Sequence, residues 1–236
     1  MLKLNPSEYP FLVENENFFL DMANACGIQV PVHQLATDKH GRTALFIKRF
    51  DRVTEHGGIR RLAQEDACQV LGRYPAAKYR ITLQEAIKGL AEAVSEGRGS
   101  RRLANLQMLE IAAFSYLIGN GDLHGKNLSI RQNPDGIWEA TPAYDLVCTQ
   151  PYLGWKDPMA LPLYGRAGKL GYRWWAQAAT RLGVPQRAID RSLARIVDAA
   201  EPWIDRVSEI GFDDKITHRL ATLIAERRKE LQQPEA

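Results

Sequence analysis

Apolar positions along the chain follow two different rhythms. Within the first fifty residues short alternating runs are mixed with one helical pattern. Most of the remaining chain repeats its apolar positions at three and four residues, with one strand-rich interruption near residues 126–145. Residues 1–4 are a short apolar piece stopped by Asn5-Pro6, which predicts a strand whose preceding partners are absent and a chain that begins mid-fold. Between Phe11 and Cys26, the positions Leu12, Phe18, Phe19, Met22 and Ala25 predict one helical face, ended at Gly27. Residues 30–35 and 43–50 read as strands around the turn Asp38-Lys39-His40-Gly41, and Arg49-Phe50-Asp51-Arg52 carries the chain out of the second. A division is expected there: an incomplete lobe of short strands and one helix over residues 1–50, and a mainly helical lobe over residues 51–236.

In the second part, Thr82-Leu83-Gln84-Glu85 has the capping-box pattern, in which the Thr oxygen and the Glu carboxylate satisfy opposed N–H groups at a helix start. The helix is expected to run to about Ser95 and to break at Gly97-Arg98-Gly99. A second helix carries Leu103, Leu106, Leu109, Ala113, Phe114 and Leu117, which predicts a buried element ending at Gly119-Asn120-Gly121. Residues 128–130 and 137–140 flank Asn133-Pro134-Asp135-Gly136, a hairpin signal. From Gly171 the pattern is helical, with Trp174, Trp175 and Trp203 available to a core.

Composition narrows the class. Hydrophobic residues at 45% and charged residues at 25% are ordinary for a globular chain and argue against disorder. No apolar run approaches the roughly 18 residues of a membrane span, and the opening MLKLNPSEYP lacks the apolar stretch of a secretory signal. A cytoplasmic protein with no membrane partner is expected. Cys26, Cys68 and Cys148 are far apart and in no CxxC pair, so they read as buried small hydrophobes rather than a disulfide or zinc framework. The net charge of +3, from 31 basic and 28 acidic residues, does not mark a nucleic-acid protein.

The chemistry is concentrated in Asn120-Gly121-Asp122-Leu123-His124-Gly125-Lys126-Asn127, where an Asp and an Asn stand five residues apart between a buried helix and a hairpin. Protein-kinase catalytic loops use that spacing. In-line phosphoryl transfer needs a carboxylate to orient and deprotonate the attacking hydroxyl, and Asp122 suits it. It also needs a neutral oxygen ligand for Mg²⁺ beside the phosphates, and Asn127 suits that. Asp145, in Ala143-Tyr144-Asp145-Leu146 after the hairpin, is the candidate second metal ligand. Taken singly, a Gly/Asn/Asp-rich segment after a helix is a turn; the order of Asp122, His124, Asn127, hairpin and Asp145 is what points to phosphotransfer. His124 alone reads equally as a phosphate contact, an orienting partner of Asp122 or a structural loop histidine.

These residues carry a resemblance. The chain resembles the C-terminal part of HipA-type serine/threonine kinases, toxins of bacterial toxin–antitoxin systems. The matching pieces are Leu2-Lys3-Leu4, Leu12-Val13-Glu14-Asn15-Glu16, Gly27-Ile28 with Val30-Pro31, Arg49-Phe50-Asp51-Arg52, Arg61-Leu62-Ala63-Gln64-Glu65-Asp66, the loop from Asn120 to Asn127, and Tyr144-Asp145-Leu146. They run through about residue 150; beyond that the match is in helical character. The resemblance implies an α+β, protein-kinase-like two-lobed fold with a truncated N-lobe and a mostly helical C-lobe. It implies ATP and Mg²⁺ as cofactors, Asp122 as catalytic base, and Asn127 and Asp145 as metal ligands. Lys3 falls on the lysine that contacts ATP phosphates, with Glu14 or Glu16 as its helix partner. Without the resemblance Lys3 would read as a solvated charge. Lys48, Arg49 and Phe50 fall on the segment that holds adenine through backbone groups, with Lys48 where an acidic residue is expected. His124, Gly125, Lys126, Asn127, Tyr144 and Asp145 complete the implied nucleotide contacts, while Arg49 and Arg52 equally read as surface charges flanking a buried Phe50.

The family carries, before the Lys3 position, an N-terminal subdomain and a Gly-rich, serine-containing loop over the phosphates. Neither is in this sequence. Three expectations compete: a separate chain supplying the missing piece, a degenerate remnant, and a true start further upstream. The implied partners are a translation-related protein substrate of the aminoacyl-tRNA synthetase type and an antitoxin, with DNA reached only through the antitoxin. Two other readings stand beside this one. Gly121-Asp122-Leu123-His124 with Asn127 also resembles the loop of aminoglycoside-type small-molecule phosphotransferases, and a catalytically inactive scaffold that binds an antitoxin-like partner would need no phosphate loop.

Overall fold

A computed structural model describes residues 1–55 and 57–234. Three antiparallel strands open the chain: β1 (Leu2–Leu4), then, after helix α1 (Leu12–Ala25), β2 (His33–Thr37) and β3 (Thr43–Ile47). Their order is β1-β3-β2, so β1 is an edge strand paired on one side with β3, with Lys3 opposite Leu45. Successive strand side chains point to opposite faces. Leu45 and Ile47 are buried, and Lys3, in register with Leu45, shares their face toward α1. Leu2, Leu4 and Phe46 point the other way and are at least half exposed. The first strand is therefore charged inside and apolar outside, the inverse of an ordinary half-buried strand.

Helix α1 ends as its Gly27 signal requires. Gly27 takes φ +71°, and Ile28 N–H reaches back to Ala23 C=O at 2.9 Å. Ala25, expected on the buried face, is exposed; the buried face instead takes in Asn15 and Glu16 along with Val13, Phe18, Phe19 and Met22.

Three short strands come next that the sequence pattern had not announced. Strands β4 (Arg52–Glu55) and β5 (Gly58–Arg61) form a hairpin, and β6 (Gln64–Asp66) leads into α2 (Ala67–Val70), whose Asp66 and Gln69 make a reciprocal cap. The expected helices are α3 (Leu83–Glu96), started by Thr82 and Glu85 as a capping box, and α4 (Arg101–Ile118), closed by Gly119 at φ +77°. Helix α4 is buried along Met108, Leu109, Ala113, Phe114 and Leu117. Leu103 is 53% exposed while the adjoining Ala104 and Asn105 are buried, so it stands on the outer side of the helix start.

The predicted hairpin forms as β7 (Ser129–Gln132) and β8 (Trp138–Ala140), and β6 joins it in the order β6-β7-β8. Asn133 Oδ1 accepts from the Asp135 and Ile137 amides at 3.0 Å each, which closes the turn. A short α5 (Gln150–Leu153) precedes α6 (Tyr172–Arg181), α7 (Gln186–Ile204) and α8 (Asp214–Leu231). Trp175 is fully buried and its indole N–H meets Leu170 C=O at 2.8 Å. Trp174 and Trp203 pack only at the margin of the core. All three cysteines are free and buried. Among the described residues no helix is long and apolar enough to cross a membrane.

Candidate active site

The inward turn of Lys3 decides the geometry. Its ammonium bonds both carboxylate oxygens of Glu16 at 2.8 Å and the carboxylate of Asp145. Glu16 sits one α1 turn inside the fold with its side chain 3% exposed. Glu14, the other candidate partner, instead accepts from Asn5 Nδ2 at 2.8 Å. Burial works to lower the Lys3 pKa, but attraction to Glu16 and Asp145 outweighs it and holds the ammonium above its ordinary value. Burial pushes the Glu16 carboxyl upward, a shift the Lys3 charge opposes. Asp145 itself lies at φ +52°, in the left-handed region that Asp and Asn tolerate better than other non-glycine residues.

Lys3, Glu16, Asn120, Asp122 and Asp145 line one cavity of about 770 Å³ between β1–α1 and the loop after α4. Asn120 is nearly fully buried and joins the two carboxylate-bearing segments. Its Nδ2 donates to Asp145 C=O at 3.3 Å and its Oδ1 accepts from the Asp122 amide at 2.9 Å. Asn127 Nδ2 donates to Asp122 C=O at 3.0 Å, which fixes the amide; among the described residues no protein group donates to Asn127 Oδ1. Asn127 Oδ1 and the Asp145 carboxylate are the hard-oxygen groups these two segments could offer to Mg²⁺, which keeps several waters and needs few protein ligands, although Asn127 is not among the residues lining the cavity that holds Asp145. No cluster of three or more His, Cys, Asp or Glu suited to a metal occurs among the described residues.

Gly121 is required by close approach. A Cβ there would lie 1.8 Å from Asp157 Oδ2 and 2.8 Å from Thr149 Oγ1. The Gly121 amide donates to Thr149 Oγ1 at 2.9 Å, and Thr149 donates to Asp157 at 2.8 Å, so the catalytic-loop candidate is pinned to the segment after Asp145. Gly125 is hemmed in likewise by Ile81 and Cys68. His124 is buried. Its Nδ1 accepts from the Lys126 amide at 3.3 Å and its ring meets Tyr79 edge-on at 5.2 Å, without a ring hydrogen bond to Asp122 among the described residues. Burial holds the imidazole below its usual pKa, against the pull of Asp122 and with help from Lys78.

The remaining candidates are not among the residues lining this cavity; Phe50, Lys126 and Tyr144 are joined to one another instead. Tyr144 donates to Lys126 C=O at 2.8 Å, shares a hydrogen bond with Ser129, and packs on Phe50 with ring centroids 5.7 Å apart. Phe50 C=O accepts from Arg131 Nη1 at 2.7 Å and the Lys48 amide donates to Val32 C=O at 2.8 Å. The Lys48 carbonyl and the Phe50 amide have no protein partner among the described residues. The arginines do not flank a buried Phe50, which is only half-buried. They clasp Asp51, 7% exposed, with Arg49 reaching its carboxylate at 2.6 and 2.8 Å and Arg52 bonding it too. Burial works to raise the Asp51 pKa, and the two guanidinium groups bring it below the usual range. Sequence reasoning left Glu16 undecided and passed over Asn120, Tyr79 and Asp157. Asn120 opens the quoted loop without having been given a role, whereas Tyr79 and Asp157 reach the site only through tertiary contacts.

A short-stranded sheet over a helical body, with a lysine–glutamate pair and two aspartates in the intervening cavity, places the fold in the protein-kinase-like class. The chain belongs to the HipA-like C-terminal domain family, whose model matches residues 1–204. Y4mE of Sinorhizobium fredii, which carries a kinase name, is 30% identical over 97% of this chain and 56% of its own length. The serine/threonine-protein kinase toxin HipA of Shewanella oneidensis is 31% identical over 80% of this chain and 46% of its own. The chain thus spans about half the length of the curated relatives it matches. Among solved structures, Shewanella oneidensis HipA, in complex with HipB and operator DNA, superposes with TM-score 0.72 and 25% identity over 98% of this chain and 56% of that one. The Helicobacter pylori proinflammatory kinase CtkA shares the fold at TM-score 0.62 and 15% identity, over 98% and 86%.

Proposed function

We propose that the chain is a serine/threonine protein kinase that transfers the ATP γ-phosphoryl group to a protein hydroxyl. The observation that carries this is the Lys3 ammonium held between Glu16 and Asp145 in the cavity that also contains Asp122. In this reading residues 1–50 form the smaller lobe and residues 51–236 the larger, with nucleotide between them. The Lys48 carbonyl and Phe50 amide, free of protein partners, hold adenine, with Arg49 between them. His124, Gly125, Lys126 and Tyr144 border the nucleotide, and Lys3 turns from Asp145 to the phosphates. Asn127 Oδ1 and the Asp145 carboxylate would hold Mg²⁺, which would supply neutralisation of phosphate charge. Asp122 orients the acceptor hydroxyl and takes its proton.

The Gly-rich loop over the phosphates would come from beyond these 236 residues, on the same chain or a partner chain, and the apolar outer face of Leu2, Leu4 and Phe46 is where such a piece would pack. By likeness to HipA, the protein is a toxin with an antitoxin partner, and DNA is reached through that partner. The family resemblance further implies a target in translation, of the aminoacyl-tRNA synthetase type. The test is incubation with Mg²⁺ and γ-labelled ATP in the presence of bacterial protein extract or an aminoglycoside, with Asp122→Asn as control. Label on protein serine or threonine, lost in Asp122→Asn, is expected. Label on the small molecule would select the other phosphotransferase class, and no label on either would favour the scaffold.

A further inference from the structure

Asp122 already has a hydroxyl in front of it. Tyr79, in the segment between α2 and α3, donates its phenol hydrogen to Asp122 Oδ1 at 2.5 Å, the only group bonding that carboxylate among the described residues. Such a charge-assisted O–H···O⁻ bond has the geometry an acceptor alcohol must adopt toward a kinase base. The phenol pKa is pushed up to about 12, first by burial of the hydroxyl and then by Asp122, so the group stays a donor across the physiological range.

The ring is weakly held. Tyr79 is 49% exposed and lines the cavity, and among the described residues its aromatic and cation–π partners are the His124 edge at 5.2 Å and the Lys78 ammonium at 4.8 Å. Its backbone is firmer, because the neighbouring Lys78 carbonyl accepts from the Gly125 amide at 3.0 Å. The hydroxyl is therefore delivered to Asp122 by a fixed loop on a side chain that can turn away. The same cavity offers an apolar wall of Leu12, Val147, Tyr152 and Leu153 against which a docking protein segment can rest.

We propose that Tyr79 occupies the acceptor-hydroxyl position on Asp122 and is a specificity-determining residue: it shields the base from water and yields to a serine or threonine hydroxyl brought in by a docked protein chain. This rests on the kinase reading above. Its consequence is suppressed ATP hydrolysis, in which a water oxygen would bond to the γ-phosphorus, the bond from that phosphorus to the ADP oxygen would break, and the water proton would pass to Asp122.

The test is Mg-ATP hydrolysis by the full chain and by Tyr79→Phe, which keeps the ring and removes only the hydroxyl, with ATP affinity measured separately by calorimetry. Freeing a carboxylate of one charge-assisted hydrogen bond should raise kcat for hydrolysis roughly tenfold, with KM for ATP and the calorimetric affinity within about twofold. Tyr79→Ala should hydrolyse at least as fast as Tyr79→Phe, which loss of a merely structural ring would not produce. Unchanged or slower hydrolysis in Tyr79→Phe, with ATP still bound, would overturn the proposal and leave the kinase reading intact. Phosphate found on Tyr79 itself would make the phenol an acceptor and also overturn it. Absence of ATP binding in both proteins, with and without the product of the adjacent reading frame added, would remove the kinase reading and this proposal together.

Discussion

Replacing Lys3 by Met removes one charge from a three-body cluster and keeps the apolar stem. The Glu16 side chain is 3% exposed, against 26% for Lys3 and 40% for Asp145. Breaking a fully buried ion pair by deleting one partner costs about 3–5 kcal/mol. Here the deleted ammonium is partly solvated, Asp145 can turn to water, and Glu16 can take up a proton, so a loss of about 2 kcal/mol is expected. For a chain of this size that corresponds to roughly 4–8 °C in Tm. The loss has a pH signature. Burial already places the Glu16 pKa above its unfolded value with Lys3 present, and without Lys3 it rises further. A raised folded pKa gives stability that is full below the unfolded value, near 4.5, and is lost as pH rises through the folded one. Urea unfolding of Lys3→Met should therefore show a larger deficit at pH 8 than at pH 5, and adding Glu16→Gln should recover at least half of it. A deficit below about 0.5 kcal/mol at pH 8, or one independent of pH, would show that Lys3 does not neutralise Glu16 in the folded protein.

Gly121→Ala should destabilise by about 1–3 kcal/mol and abolish label transfer, because the new Cβ meets Asp157 and Thr149. Denaturant midpoints and the transfer assay check both parts, and a fully active, equally stable variant would contradict the packing described. Burial pushes the Cys26 and Cys148 thiols up to about 12 and raises Cys68 as well. At pH 8 the native chain should react with a thiol reagent far more slowly than the urea-unfolded chain, which exposes three thiols; equal rates would contradict their burial.

Much of this architecture is written locally in the chain. Thr82 with Glu85, Gly119 after α4, and Asn133 with Gly136 are short-range signals whose hydrogen bonds lie within four residues, and each appears where the sequence placed it. The loop from Asn120 to Asn127 could be picked out from its composition and spacing, whereas its placement depends on bonds to Asp145 and Thr149 far along the chain. The illegible parts depend on pairing across the chain. Strand β6 is three residues long and exists because β7, some sixty residues later, offers it an edge. The choice of Glu16 over Glu14 is set by which α1 face meets Lys3, and that depends on the register of β1 against β3. In Arg49-Phe50-Asp51-Arg52 the charges pointed to a surface, whereas the fold turns Asp51 inward and uses both arginines to satisfy it. Tyr79 carried no local signal at all, since its partner lies 43 positions away.

The central claim is that Lys3, Asp122, Asn127 and Asp145 form a nucleotide-phosphate site. Calorimetry of the full chain with Mg-ATP tests it most directly, with Asp145→Asn as the comparison because Asn tolerates the same left-handed backbone. The same titration is repeated with the product of the adjacent reading frame added. Saturable Mg-dependent binding, weakened at least about tenfold by Asp145→Asn, is the expected result, with the chain alone or once the neighbour supplies the phosphate loop. Binding unchanged by Asp145→Asn, or no binding under either condition, would contradict it.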